Sequence, residues 1–260
     1  MTDMTNNNDL RMAYRPKLFT EYCNFENSKT LRILNRQMQR NALPRLLIFD
    51  GDYSTGKTSA SLLLGMWSSC EQWIDRMPCG QCGGCNFVLN SQHQGTWRAN
   101  YYGLDGTDID ANEIDEIFRQ TNHYMPPYQP RGKRPDELIP NIVSIDEAHR
   151  TQPKIQERLL TLVERWTKTS IILLTTKLDK IDDGLIARGT TYRFQHPSLQ
   201  QTAARLLCVA EAESIPLTEA DALWIAEQHD GAVRESLGDL DTLKSCGITS
   251  PEEVRQLLGD

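Results

Sequence analysis

Eight consecutive residues, Gly51-Asp52-Tyr53-Ser54-Thr55-Gly56-Lys57-Thr58, fit the pattern G-x-x-x-x-G-K-[ST], and their flanks constrain the fold more than any other stretch. Leu46-Leu47-Ile48-Phe49 is a continuous apolar run, as expected of a strand buried on both faces. It stops at Asp50-Gly51, where a loop has to curl its amides around an anion. Behind the loop, Ser59-Ala60-Ser61-Leu62-Leu63-Leu64 begins a helix whose positive end faces the same point. Strand, glycine loop and helix in that order predict an α/β fold on a doubly wound parallel sheet. A Gly/Thr-rich turn arising by chance would require neither that strand nor that helix. Residues 51–59 are therefore the candidate cradle for the phosphates of ATP. Lys57 reaches the β- and γ-phosphates as a point charge, and Thr58 offers its hydroxyl to Mg²⁺.

A second buried strand, Asn141-Ile142-Val143-Ser144-Ile145, runs into Asp146-Glu147-Ala148-His149. Two carboxylates at the C-terminal edge of a parallel strand, in a chain with a phosphate loop, suit Mg²⁺-assisted hydrolysis: Asp146 holds the metal through water and Glu147 polarises the attacking water. Surface acids capping a helix are the competing reading, against which stands the apolar run leading into the pair. Ser170-Ile171-Ile172-Leu173-Leu174-Thr175-Thr176 supplies a third core strand that ends in hydroxyls.

Between the first two strands lie Cys70, Cys79, Cys82 and Cys85, spaced C-x8-C-x2-C-x2-C. Short C-x2-C steps let two thiolates grip one ion, and Gly80, Gly83 and Gly84 permit tight turns that aim amides at the sulfurs. Four thiolates close a tetrahedron and leave no position for water, which predicts structural Zn²⁺. An iron–sulfur cluster is the rival, since C-x2-C-x2-C opens a ferredoxin-like run, but no Cys-Pro follows Cys85. Cys23, Cys208 and Cys246 stand apart from the cluster.

At 260 residues the chain has room for one sizeable core and a small satellite domain. A net charge of −7 argues against coating nucleic acid by bulk attraction, so DNA contact requires a local basic surface or aligned helix N-termini. No apolar run reaches membrane-spanning length and the N-terminus has no signal-like core; the expectation is a cytoplasmic protein with no membrane partner. Residues 1–13 read as a disordered tail, residues 14–195 as the α/β domain with its metal module at 70–85, and residues 196–260 as a small helical domain with apolar residues at helical spacing. Residues 110–118 read as an acidic amphipathic helix. Residues 126–140 read as a basic, proline-rich loop whose charges are solvated or touch DNA.

From about residue 14 to 260 the sequence resembles the AAA+ ATPase subunits of DNA polymerase clamp loaders, most closely the bacterial gamma/tau subunit and more distantly replication factor C. Tyr14-Arg15-Pro16 is similar to that family's opening W/Y-R-P, and the resemblance implies that the segment through Tyr22 and Cys23 packs on adenine. The cysteine spacing matches the family's zinc module, Asp146-Glu147-Ala148-His149 its Walker B, and Leu173-Leu174-Thr175-Thr176 its sensor-1 strand, with Thr176 facing the water. Gly231-Ala232-Val233-Arg234 resembles the lid motif G-x-x-R, implying that Arg234 reads the γ-phosphate. Ala187-Arg188-Gly189 stands where the family has Ser-Arg-Cys, so the resemblance implies Arg188 as a finger into a neighbouring subunit's ATP. Ser54 replaces a usual glycine, Asp52 adds a carboxylate, and Asp260 follows the lid with no collar domain behind it.

The leading expectation is an ATP-driven switch, hydrolysing ATP and working with other AAA+ subunits on a sliding clamp or primer-template DNA. Arg150, Lys154 and Arg158, on the helix after Walker B, are the candidate DNA face, or equally a solvated surface. A standalone ATPase that regulates another enzyme in a mobile-element or phage system is the alternative. A DEAH-type helicase needs two such motor domains, and this chain has room for one. A silent subunit is disfavoured because Lys57, Thr58, Asp146 and Glu147 are all present.

Overall fold

A computed structural model describes residues 9–90, 100–123, 131 and 137–259. Its centre is a five-stranded sheet of β1 (Leu46–Asp50), β2 (Tyr101–Asp105), β3 (Asn141–Asp146), β4 (Thr169–Thr175) and β5 (Thr190–Arg193), in the order β2-β3-β4-β1-β5. Every pairing is parallel. Successive side chains of β1 enter different cores. Leu47 and Phe49 pack with Ile142, Ile172 and Leu174, while Leu46 and Ile48 pack with Val143, Ile145, Ile171 and Leu173. That two-sided burial is why the strands read as unbroken apolar runs.

Helices α2 (Lys29–Gln39), α3 (Lys57–Ser69) and α4 (Gly83–Asn90) supply the first layer. The second layer is α5 (Ala111–His123), α6 (Pro153–Val163) and α7 (Asp183–Arg188). Ser28 caps α2 by accepting from Leu31 N at 3.2 Å. Pro153 opens α6 at a position where its missing N–H costs nothing. The acidic helix expected at 110–118 continues to His123, and Phe118 packs edge-on against Trp166 with ring centroids 5.6 Å apart.

Beyond β5, α8 (Leu199–Ala212), α9 (Glu219–Gln228), α10 (Val233–Cys246) and α11 (Glu252–Leu258) close around a separate core of Leu206, Val209, Ile225, Leu240 and Leu243. Ser198 and Gln201 form a reciprocal capping box at the start of α8. Gly247 ends α10 in the left-handed region, with φ +66°.

One expectation is corrected at the N-terminus. Within the stretch assigned to a disordered tail, residues 10–13 form helix α1 (Leu10–Ala13), capped by Asp9, and Leu10 is buried in the core of the C-terminal helices. One buried leucine ties this polar stretch to a domain near the other end of the chain. Of the basic loop at 126–140, the structure describes Arg131 and residues 137–140; its remaining residues lie outside the described residues. Arg131 N donates to Glu71 O at 2.9 Å, and the buried Glu137 pairs with Arg76. Among the described residues no helix is long and apolar enough to cross a membrane.

Candidate functional site

The strand order builds the site. Because β4 lies between β1 and β3, the glycine loop after β1 and the acids after β3 emerge on the same edge, two strand spacings or about 10 Å apart. Gly51 must be glycine because an added Cβ would lie 2.3 Å from Phe194 O. Gly56, with φ +92°, would bring a Cβ to 2.7 Å from the Tyr22 ring, whose hydroxyl donates to Gly56 O at 2.9 Å. Burial pushes the Tyr22 phenol pKa well up, so it remains a donor.

The Lys57 ammonium donates to Gly51 O at 2.7 Å and to Asp52 O at 2.6 Å. Burial lowers its pKa, opposed by Asp146, Glu147, Asp52 and Asp50. Thr58 Oγ1 donates to Asp146 Oδ2 at 3.0 Å, and Glu147 N donates to Asp146 Oδ1 at 2.9 Å. A hydroxyl and a carboxylate side by side are hard oxygen donors, suited to Mg²⁺ beside phosphates. Ser54 holds a left-handed φ of +58°, and its hydroxyl donates to Glu235 on α10, joining the phosphate loop to the helical domain.

Glu147 sits in the left-handed region at φ +49°. Its Oε2 lies 3.3 Å from both His149 Nε2 and Arg150 Nε. That oxygen is buried and accepts no well-directed hydrogen bond among the described residues, so the Arg150 contact is a charge pairing, and the His149 contact becomes one only when the imidazole is protonated. His149 Nδ1 also lies 3.3 Å from Thr175 Oγ1. Thr176 Oγ1 is buried with no hydrogen-bond partner among the described residues.

A cavity of about 560 Å³ lies between the α/β core and the helical domain. Its core side is formed by residues 53–59, Asp146 and Glu147, its other side by Pro197, Val233 and Arg234, and Tyr14, Arg15, Pro16, Tyr22 and Cys23 line it from the N-terminal segment. The Arg15 guanidinium pKa is lowered, first by burial and then by repulsion from Arg234. Two cations held near each other, with Lys57 in the same cavity, select an anion. Gly51 and Asp52 contribute the carbonyls that hold Lys57 without lining the cavity themselves.

The remaining residues singled out in the sequence stand outside the cavity. Arg188 donates to Glu164 Oε1 at 3.0 Å and to Gly184 O at 3.1 Å on an exposed face. Arg158 is paired with Asp115 at 2.7 Å, and Lys154 is exposed on α6. Among the lining residues that sequence reasoning missed are Asn24, Asp105 and Arg205. Asp105 ends β2 directly opposite Asp146, and the Asp-Gly step that closes β2 repeats the one that closes β1. That repetition was the available signal.

Away from the cavity, the sulfurs of Cys70, Cys79, Cys82 and Cys85 all lie within 4.8 Å of one another. Cys79 N, Cys82 N and Glu71 N donate to sulfurs of the cluster at 3.3, 3.4 and 3.4 Å. Hydrogen bonding, above all from Cys85, draws the Cys70 thiol down to about 7. Gly84 lets α4 approach the end of α3, since a Cβ there would lie 1.9 Å from Ser69 O.

A family model described as DNA polymerase III, delta subunit, matches residues 26–198. The chain belongs to this family of clamp-loader AAA+ proteins. It is 27% identical over 243 residues to DNA polymerase III subunit gamma/tau of Mycoplasma pneumoniae, covering 91% of this chain and 32% of that one. Similarity to Bacillus subtilis subunit tau is 27% over 239 residues, covering 89% and 38%. The replication factor C small subunit of Thermoplasma acidophilum is 23% identical over 247 residues, covering 95% and 67%. The chain thus spans about a third of the length of these DNA polymerase III relatives. In fold it matches the Holliday junction branch migration motor RuvB of Thermotoga maritima, with a TM-score of 0.62 and 16% identity over 94% of this chain and 73% of that one.

Proposed function

We propose that this member of the clamp-loader family binds Mg²⁺-ATP in the cavity between core and helical lid and hydrolyses it as a switch in a DNA replication assembly. The observation that carries the reading is the convergence of Lys57, Thr58, Asp146 and Glu147 with Arg15 and Arg234 around one cavity. Lys57 and the loop amides bind the phosphates, and Arg234 on the lid neutralises the far end of the chain of phosphates. Thr58 and Asp146 would hold Mg²⁺, which supplies charge neutralisation between the phosphate oxygens. Glu147 orients and deprotonates the attacking water, with the buried Thr176 hydroxyl as a second polar group on that side.

Arg188 lies outside its own chain's cavity on an exposed face, which suits a finger offered to a neighbouring AAA+ subunit. Such fingers contribute about 10³ to 10⁵ in rate in related NTPases. Arg150 links the acids to DNA in this reading. While it lies against Glu147, it occupies the carboxylate's Oε2; a DNA phosphate that draws it away frees Glu147 for the water. Lys154 and Arg158 continue that basic edge along α6. Four thiols packed this closely suit one tetrahedral Zn²⁺, whose sulfurs lie about 3.8 Å apart; Cys70 and Cys82 are 3.9 Å apart.

Steady-state ATP turnover, with and without primed DNA and a sliding clamp, tests the proposal. Lys57→Ala abolishes binding and turnover, Glu147→Gln keeps binding and loses turnover at least about a hundredfold, and Arg150→Ala raises the DNA-independent rate while blunting DNA stimulation. Unchanged turnover in Lys57→Ala contradicts the site. Stimulation by another enzyme but not by DNA or clamp favours the regulatory adaptor instead.

A further inference from the structure

Helix α2 carries a charge pattern that neither the cavity nor its chemistry uses. Leu31, Leu34 and Met38 bury one face of it in the core of the first layer. Lys29, Arg32, Arg36 and Arg40 are exposed, and their steps of three, four and four residues stack them in one stripe along the opposite face. Elsewhere Arg76, Arg158, Arg188 and Arg255 each pair with a carboxylate. Among the described residues, no cation of the stripe has an ion pair or a side-chain hydrogen bond.

This arrangement works against the helix itself. Like charges one turn apart repel, and Lys29 is the first helical residue, where the positive end of the dipole disfavours a cation and no acid offsets it. In a chain of net charge −7, an uncompensated row of cations breaks the local rules without helping the fold, which marks it as a candidate binding surface. The row is also held in place. Thr30 Oγ1 donates to Arg193 O at 2.7 Å near the start of α2, and Tyr192 Oη donates to Gln37 Oε1 at 2.8 Å. Arg76 Nε donates to Gln39 O at 2.6 Å at its end, so little backbone ordering is left to lose on binding.

The pattern calls for a polyanion whose charges lie in a line. From Lys29 to Arg40 the helix rises about 16 Å, a length over which one DNA strand presents about five phosphates. An acidic protein surface would need an apolar centre to the patch, and the stripe offers only Ile33, 37% exposed. Single-stranded DNA would need aromatic platforms for its bases, and α2 has no aromatic residue. We propose that α2 is a docking edge for duplex DNA, with Lys29, Arg32, Arg36 and Arg40 laid along the phosphates of one strand and reading no sequence. Because α2 packs in the first helical layer and α6 in the second, this contact lies across the sheet from the basic edge of α6. It goes beyond the ATP reading and does not rest on it.

The test is fluorescence anisotropy with a labelled duplex of about 20 base pairs over a salt series. Arg32→Gln combined with Arg36→Gln, a change that keeps helix propensity, weakens binding at least about tenfold at about 0.1 M salt. It also flattens the slope of log affinity against log salt by about 1.8, equally for unrelated sequences. The control, Arg165→Gln combined with Lys168→Gln, removes the same charge elsewhere on the surface and leaves affinity within about twofold. In wild type, bound duplex protects Lys29 from an amine-reactive label, a measurement that needs no variant. Absence of duplex binding, equal weakening by both pairs, an unchanged Arg32/Arg36 variant or an unprotected Lys29 overturns the inference. So does stronger competition by polyglutamate, or by a single strand, than by unlabelled duplex at equal charge concentration. ATP turnover without DNA is measured separately, so the nucleotide site stands or falls on its own.

Discussion

His149 shows how single residues around the acids are balanced. Burial, the largest cause, holds its imidazole below the ordinary value of 6.5, helped by Arg150 and Lys177 and opposed by Glu147 and Asp179. The sign follows directly. The folded state takes up the His149 proton less readily than the unfolded chain, so its contribution to stability is complete above pH 6.5 and is lost as pH falls through the folded-state value. Between about pH 7.5 and pH 5.5, denaturant midpoints should therefore fall further for wild type than for His149→Gln; equal losses would show that His149 carries none of the acid sensitivity. At this scale the sequence was legible where chemistry follows a local pattern. Lys57, Thr58, Asp146 and Glu147 announce themselves because a strand end precedes each group. Asn24 and Arg205 carry no such signal: one lies in a polar loop, the other in an ordinary helix, and only tertiary packing brings both to the cavity wall.

Among the elements, the cysteine module depends most on something other than packing. It joins the end of α3 to α4 through four thiols, with Trp73 stacked on Trp67 at 5.4 Å and its indole N–H donating to Trp67 O at 3.0 Å. Ile74, at its tip, is 57% exposed, so apolar burial there is limited and a metal held by the four thiols would supply much of the local stability. Elemental analysis should find one zinc per chain, and Cys82→Ser should lower the unfolding midpoint by about 10 °C. Iron in place of zinc, or an unchanged midpoint, would contradict a structural zinc module. The C-x2-C spacing made this element readable from sequence. Helix α1 was not readable, because Leu10 is one apolar residue in a polar stretch and α1 packs on the distant α10.

In the whole molecule, two bodies with separate cores meet at the cavity, and several links among the described residues cross between them. Leu10 anchors the N-terminal segment in the C-terminal helical core, Tyr14 donates to Glu213 at 2.7 Å, and Ser54 donates to Glu235. The parallel sheet was legible from its apolar runs and the C-terminal helices from their spacing. The strand order was not, because the crossover placing β4 between β1 and β3 leaves no mark on local sequence. That order and those links support the central claim that a triphosphate is gripped from both bodies. A crystal structure of the protein with Mg²⁺ and a non-hydrolysable ATP analogue tests it most directly. The account predicts the γ-phosphate between Lys57 and Arg234, with the metal beside Thr58 and Asp146. Nucleotide bound elsewhere, or Arg234 turned away from the phosphates in the occupied site, would contradict it.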